Sequence, residues 1–258
     1  MRRNGPEGPG FDLEEHQPKL YADLATWFHL LTPPEEYSEE AQLYRRVLTE
    51  AAAGPVERVL ELGSGGGNNA SHMKDHFEMT LVDISHQMLE QSRSINPECE
   101  HAVGDMRSVR LGREFDAVFV HDAVDYITNE SDLRAAIATA FIHCRPGGVA
   151  LFVPDYVRET FRSRTEHGGR DGERRALRYL MWEWDPDPAD TTYYEEFAYL
   201  LRDETGAVRV EHDRHVCGVF ERGTWLRLLA EVGFQPEVRP ADYDDETGTE
   251  LFVASKRH

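Results

Sequence analysis

With 48 acidic against 28 basic side chains in 258 residues, a formal net charge of −20, the chain has little cationic surface with which to neutralise phosphates. Nucleic acids and anionic membranes are therefore poor partners, although a local basic patch over 170–178 is compatible with an acidic whole. Three cysteines, Cys99, Cys144 and Cys217, lie far apart with no Cys-x-x-Cys pair, which argues against a zinc knuckle and a disulfide framework. No apolar run reaches the length of a membrane span. Arg2 and Arg3 precede Gly, Pro and Glu rather than a signal-peptide core, so a cytoplasmic protein is expected.

Residues 1–12 are rich in glycine and proline and read as a disordered tail. Helical apolar spacing runs over 19–31 until Pro33-Pro34 breaks it, and 39–53 reads as a second helix stopped by Gly54-Pro55. From 56 the pattern alternates: strand 56–62, helix 68–76, strand 78–83, helix 85–95, strand 100–104, strand 115–121, helix 131–144 and strand 149–154. Alternating strands and helices predict an α/β fold with a parallel sheet covered on both faces. The first strand ends in Glu61, and Gly63, Gly65 and Gly67 follow before a helix opens at Asn68 or Asn69. Strand, tight turn and helix make the first half of a βαβ unit. Glu61 then faces the crevice where such sheets bind ligands. Asp83 closes the second strand about twenty residues after Gly63, where a ribose-binding acid belongs.

The stretch 156–219 departs from this alternation. Apolar segments at 178–184, 191–202 and 208–219, with the hairpin signal Asp203-Glu204-Thr205-Gly206, predict a small antiparallel sheet set over the carboxyl edge of the main one. Helix 222–232 follows, and then closing antiparallel strands at 236–240 and 250–256, joined by an acidic hairpin over 242–249. Among the histidines, His72 and His76 sit four apart on a helix but lack the Glu of His-Glu-x-x-His, so no metal is expected. His212 and His215, three apart on a strand, point to opposite faces.

Glu61-x-Gly63-x-Gly65-x-Gly67 resembles the first motif of the class I S-adenosylmethionine-dependent methyltransferases. Asp83 matches that family's ribose acid and Gly104-Asp105-Met106 its adenine-flanking loop. Phe115-Asp116-Ala117-Val118 matches the fourth strand, and Arg145-Pro146-Gly147-Gly148 the turn before the fifth. The resemblance implies a Rossmann-like, seven-stranded, mostly parallel sheet. A helical lid over 13–55 and an antiparallel β cap over 156–219, inserted after the fifth strand, would flank the core segments 56–155 and 220–258. S-adenosyl-L-methionine is then the expected cofactor. Tyr21, Glu61, Gly63, Ser64, Gly65, Asp83, Ile84, Met88, Gly104, Asp105, Met106 and the His121 backbone would hold it. Within that set Asp105 takes the adenine amino group, and Ile84, Met88 and Met106 sandwich the ring.

A small-molecule acceptor, an amino sugar or another metabolite, would meet Tyr37, Asp122, Tyr126, Tyr156, Trp182 and Glu195. Strand alternation alone leaves open whether Tyr193 and Glu195 or Tyr194 and Glu196 look inward. His121, at the carboxyl end of a buried strand, and Tyr21 are the expected catalytic residues, with His121 as proton acceptor. N-methylation is favoured over O-methylation, and a homodimer is expected. The alternatives are a catalytically silent cofactor-binding subunit and an NAD-dependent oxidoreductase. The latter's Gly-x-Gly-x-x-Gly fingerprint would need glycine where Asn68 stands.

Overall fold

The computed structural model describes residues 18–241 and 248–257, so the expected tail over 1–12 and most of the acidic hairpin at 242–249 lie outside it. In chain order the regular elements begin with α1 (Phe28–Leu31) and α2 (Ser38–Ala51). The core then runs β1 (Arg58–Leu62), α3 (Asn68–Met73), β2 (Glu78–Asp83), α4 (His86–Ile95), β3 (Glu100–Val103), β4 (Phe115–Val120), α5 (Glu130–His143) and β5 (Cys144–Phe152). A second sheet intervenes, of β6 (Arg164–Asp171), β7 (Ala176–Trp184), β8 (Thr192–Arg202) and β9 (Val208–Gly218), before α6 (Arg222–Val232), β10 (Phe234–Pro240) and β11 (Glu250–Lys256).

The seven-stranded sheet has the order β10-β11-β5-β4-β1-β2-β3. Parallel pairing links β1 to β2 and β4, β2 to β3, and β4 to β5, while β11 runs antiparallel to β5 and β10. Strands buried on both faces need continuous apolar runs, and every residue of β4 is buried. Side chains alternate across the sheet. Leu60, Leu62, Val118, Val120 and Phe152 pack on α5 and α6, and Val59, Leu81, Phe119 and Leu151 pack on α2 and α3. Burying each such side chain is worth about 1.5–3 kcal/mol. The order of the sheet reverses between β1 and β4, and a ligand crevice forms at that point beyond the carboxyl ends of the strands.

Four residues read as the turn before the fifth strand lie inside it. The β4–β5 register passes from Phe115↔Cys144 to Ala117↔Val149, and the bulge absorbs Arg145 to Gly148, with Gly147 at φ 76°. The Arg145 guanidinium donates to Asp116 at 2.6 Å, and Asp116 also accepts the Glu57 and Arg58 backbone N–H groups. The helix expected over 19–31 is also broken, into 3-10 turns at Lys19–Tyr21 and Ala25–Trp27 followed by the single-turn α1. Asp213 of β9 draws the Lys19 and Leu20 N–H groups to its carboxylate, each at 3.0 Å. The break also serves two clusters at once, since Leu24 and Trp27 pack on the second sheet and Leu20, Ala25 and Phe28 on Met88.

The second sheet is antiparallel, in the order β6-β7-β8-β9. Sequence reading found three of its strands and missed β6, whose eight residues are mostly exposed and include Gly168 and Gly169. The local basic patch does not materialise. Arg170 pairs with Glu36, Arg174 with Glu204 and Arg178 with Asp171. No helix among the described residues is long and apolar enough to cross a membrane.

Candidate active site

Gly63, Gly65 and Gly67 adopt φ of 76°, 51° and 78°, the left-handed region that side chains avoid. Gly63 and Ser64 donate to the Val82 carbonyl at 2.7 and 3.0 Å, which folds the loop onto β2. The third glycine stands at 67 because a Cβ there would lie 2.3 Å from both Asn96 Nδ2 and Ser92 Oγ. The next position is a buried asparagine, Asn68, whose amide donates to the Thr32 carbonyl at 2.9 Å, so the nicotinamide fingerprint is not reproduced. Asp83 braces the loop from below. It accepts the Gly65 N–H at 2.8 Å and the Ser85 N–H at 2.7 Å. Burial pushes its carboxyl above the usual range against the pull of those N–H groups.

Glu61 is buried, and its Oε2 has no hydrogen-bond partner. Burial pushes its carboxyl up to about 8, with His121 pulling down and Asp83, Glu40 and Asp122 pushing further up. An open, buried carboxylate oxygen beside a glycine loop suits a ligand that brings an ammonium group. At the ends of β2 and β3, Ile84 (62% exposed) and Val103 (56%) leave apolar surface bare, which suits a flat ring.

A raised folded-state pKa means that the stability tied to neutral Glu61 is complete below about pH 4.5. That stability is lost as pH rises to about 8, at about 1.4 kcal/mol per unit of pKa difference. Glu61→Gln is therefore expected to raise the melting temperature at pH 8.5 by several degrees and to change it little at pH 4. A gain equal at both values would refute the assignment of the proton to Glu61.

The remaining expected cofactor residues divide. Met88 is buried, and its Cε would lie 3.8 Å from a Cβ on Gly65, while Met106 lies against Gly63. Ser64 Oγ is buried without a partner. Gly104 donates to the Asp83 carbonyl at 3.0 Å and leaves no room for a Cβ beside Val109. The Asp105 carboxylate, expected to take the adenine amino group, is already held on both oxygens by Arg107, which lowers its pKa.

The proton-accepting role expected of His121 does not fit its surroundings. Its Nε2 lies 2.9 Å from Asp122 Oδ1, 3.0 Å from Tyr44 Oη and 3.8 Å from Glu40 Oε1. Burial opposes its charge, but Asp122, Glu40 and Asp155 outweigh burial and push it up to about 10. At neutral pH this imidazole already carries its proton.

The second sheet presents Met181, Glu183, Tyr193, Glu195, Phe197 and His215 to the interior. Alternation thus settles in favour of Tyr193 and Glu195, with Tyr194 and Glu196 on the other face. It also corrects Trp182, which lies opposite Glu196 on the outer face, stacks on Trp184 and is half exposed. The Tyr156 hydroxyl donates to Glu183 at 3.0 Å, and Arg164 pairs with the same carboxylate. Asp125 Oδ2 accepts the Asp155 N–H at 2.9 Å, and burial raises both carboxyls well above their ordinary range, with Asp122 and Glu195 adding to the effect. Burial likewise raises the Tyr37 hydroxyl, followed by Asp122 and Glu40. From the turn after β4, Tyr126 donates to the Tyr21 hydroxyl at 2.8 Å and lies 2.8 Å from His215 Nδ1.

Sequence reading missed Glu40, Tyr44, Asp155, Glu183, Asp213 and His215. For Glu40 and Tyr44 a signal existed. They sit four apart on the stripe of α2 that buries Val47 and Leu48, and an acid on an apolar helix face is unusual.

Residues 59–148 match a family described as a methyltransferase domain. The dTDP-3-amino-3,4,6-trideoxy-α-D-glucopyranose N,N-dimethyltransferase of Streptomyces venezuelae is 34% identical over 146 residues, which covers 55% of this chain and 60% of that one. The match thus spans three fifths of that relative's length. The dTDP-3-amino-3,6-dideoxy-α-D-glucopyranose N,N-dimethyltransferase of Streptomyces fradiae is 25% identical over 223 residues, covering 80% and 78%. The sugar N-methyltransferase KedS8 from Streptoalloteichus superposes with a TM-score of 0.81 at 24% identity, over 99% of this chain and 100% of that one, and so shares the fold.

Proposed function

We propose that this chain, which resembles the class I S-adenosylmethionine-dependent methyltransferases and among them the amino-sugar N-methyltransferases, transfers a methyl group to the nitrogen of a small amino sugar. One observation carries the choice of nitrogen. Carboxyl groups from separate elements converge beyond the carboxyl ends of β1, β4 and β5, namely Glu40, Asp122, Asp125, Asp155 and Glu195; burial, joined by neighbouring carboxylates, raises the pKa of Glu40, Asp125 and Asp155. Such a field favours a cationic amine over a neutral hydroxyl.

S-adenosylmethionine, when bound, supplies a methyl group activated on a sulfonium. Asp83 would take the ribose hydroxyls in charge-assisted bonds, and the open oxygen of Glu61 would take the ammonium group. Ile84 would support the ring, and the loop of Gly63 and Gly65 would border the ligand with backbone alone. His121, paired with Asp122, holds the strand end in place rather than moving a proton. The chain chiefly aligns donor and acceptor, and alignment alone supplies about 7–11 kcal/mol.

Three free thiols suit a reducing cytoplasm. To a second copy of the chain we assign the outer face of the cap, where Leu180, Trp182, Leu200, Val208 and Val210 are about half exposed or more. On that face Arg178 and Arg202 pair with Asp171 and Arg214 with Glu196, so its charges are balanced.

The test has two stages. At 100 times its dissociation constant, S-adenosylhomocysteine stabilises a binding protein by about 2.7 kcal/mol, whereas NAD should give no melting shift. Methyl-labelled cofactor with dTDP-3-amino-3,6-dideoxy-D-glucose should then yield a labelled, N-methylated sugar. Cofactor binding with no turnover on any amine offered would favour the silent subunit instead.

A further inference from the structure

We propose that Tyr21, Tyr126 and His215 form a proton relay that carries the acceptor's proton from the site to the cap, with Asp213 as its far anchor. This rests on the amine-methylating reading above. The relay joins three parts of the chain. Tyr21 belongs to the N-terminal segment, Tyr126 to the turn after β4, and His215 and Asp213 to β9.

Its links are short and dry. Tyr126 Oη lies 2.8 Å from Tyr21 Oη and 2.8 Å from His215 Nδ1, and His215 Nε2 lies 3.2 Å from Asp213 Oδ2. His215 and Asp213 are 1% and 5% exposed. Among the described residues, carboxylates and phenol rings face His215 from several elements. Asp213 comes from its own strand, Glu195 Oε2 of β8 lies 3.6 Å from Nδ1, and the rings of Tyr21 and Tyr126 close the remaining sides. Phe197 covers the last face, at 5.0 Å between ring centroids. Burial disfavours a proton on His215, but the bonds to Asp213 and Glu195 outweigh it, so the ring can hold a second proton.

The hydroxyl chain has two hydrogen-bond directions, one for each charge state of His215. With His215 neutral, Tyr21 donates to Tyr126 and Tyr126 to Nδ1. An acceptor ammonium passes its proton to the Tyr21 oxygen, the Tyr21 proton moves to Tyr126, and the Tyr126 proton moves to Nδ1. Both tyrosines end neutral, and His215 becomes an imidazolium with Nε2–H on Asp213. The amine nitrogen is left with the electron pair that forms the N–C bond, while the pair of the breaking C–S bond stays on sulfur. His121 lies outside this hydroxyl chain, with its Nε2 held by Asp122 and Tyr44. His215 and Tyr126 are positioning residues that act through Tyr21.

Tyr126→Phe removes one hydroxyl and keeps the ring, so the variant should melt within a few degrees of the parent. With dTDP-3-amino-3,6-dideoxy-D-glucose as probe, its single-turnover rate should fall about 100-fold. Affinity for S-adenosylhomocysteine and KM for the sugar should change less than about threefold. The acidic limb of the pH–rate profile should disappear as well. A parental rate and a parental acidic limb would overturn the relay. If the parent fails to methylate the probe, the amine reading fails for that sugar, and the relay is judged by 15N NMR of His215 in the full chain with S-adenosylhomocysteine. A ring that titrates between about pH 6 and 10, with its Nδ1 signal moved in Tyr126→Phe, supports the relay. A ring that keeps one charge state over that range overturns it.

Discussion

Asp83→Ala is expected to weaken S-adenosylhomocysteine binding about 100-fold or more, a loss of about 2.7 kcal/mol at 1.4 kcal/mol per decade. The carboxylate performs two tasks that alanine cannot. It accepts the Gly65 and Ser85 N–H groups, and so fixes the middle of the glycine loop relative to the start of α4. It also retains lone pairs for two ribose hydroxyls, and bonds to a charged acceptor are worth about 1.5–3 kcal/mol each. Because burial raises its pKa, affinity should grow as pH rises through that value, since the ribose needs the ionised form. Stability of the unliganded protein moves the opposite way. The folded state favours the neutral acid, so this contribution is complete below the unfolded pKa and lost as pH rises through the folded one. Isothermal titration calorimetry decides the matter, and a change under threefold would remove Asp83 from the binding site.

Gly63→Ala should cost several kcal/mol in stability. An added Cβ would sit 2.3 Å from Ala123 Cβ and 2.8 Å from Met106 Cε, on a backbone at φ 76°. Met106 ends in a flexible thioether and can move, but the Ala123 Cβ is fixed to the backbone of the 3-10 turn Asp122–Tyr126 and cannot. Overpacking costs about 1–3 kcal/mol, and the left-handed conformation adds about 1–2 kcal/mol for a residue with a Cβ. Denaturant melts should show a loss of about 2–5 kcal/mol, the sum of those terms. Cofactor binding should be lost even where the fold survives. A loss below about 1 kcal/mol would mean that the loop yields more readily than its contacts indicate.

The core was legible because its signals are local and mutually consistent. A buried run such as Phe115 to Val120 reads as a parallel strand wherever it lies, and glycines at 63, 65 and 67 announce a loop that needs positive φ. The acceptor side was much less legible. Trp182 and Glu183 are neighbours in sequence, yet they face opposite sides of β7, and only pairing with β6 and β8 decides which side is interior. The helix expected over 19–31 fails for a similar reason, since the side chain that breaks it, Asp213, arrives from the far end of the cap. His121 was correctly brought to the crevice by topology, but its chemistry was set by Glu40 and Asp122, whose convergence no spacing rule encodes. Alternation put His212 and His215 on opposite faces and left open which of the two faces the interior. Facing away from His212 says nothing about what lies opposite.

The two ends of the cap meet. Arg158, just after β5, donates its backbone N–H to the carbonyl of Phe220, just before α6, at 2.9 Å. The long excursion through β6 to β9 therefore leaves and re-enters the core at one point. Closing a loop of that kind costs an entropy that grows only with the logarithm of its length. The main sheet keeps its register whatever the excursion contains. An exchange of the inserted sheet would therefore open the core at one point only and leave the strands of the main sheet continuous. In this chain such an exchange would carry away Glu195, Asp213 and His215 together, while Tyr21, Asp122, Asp125 and Tyr126 would stay behind.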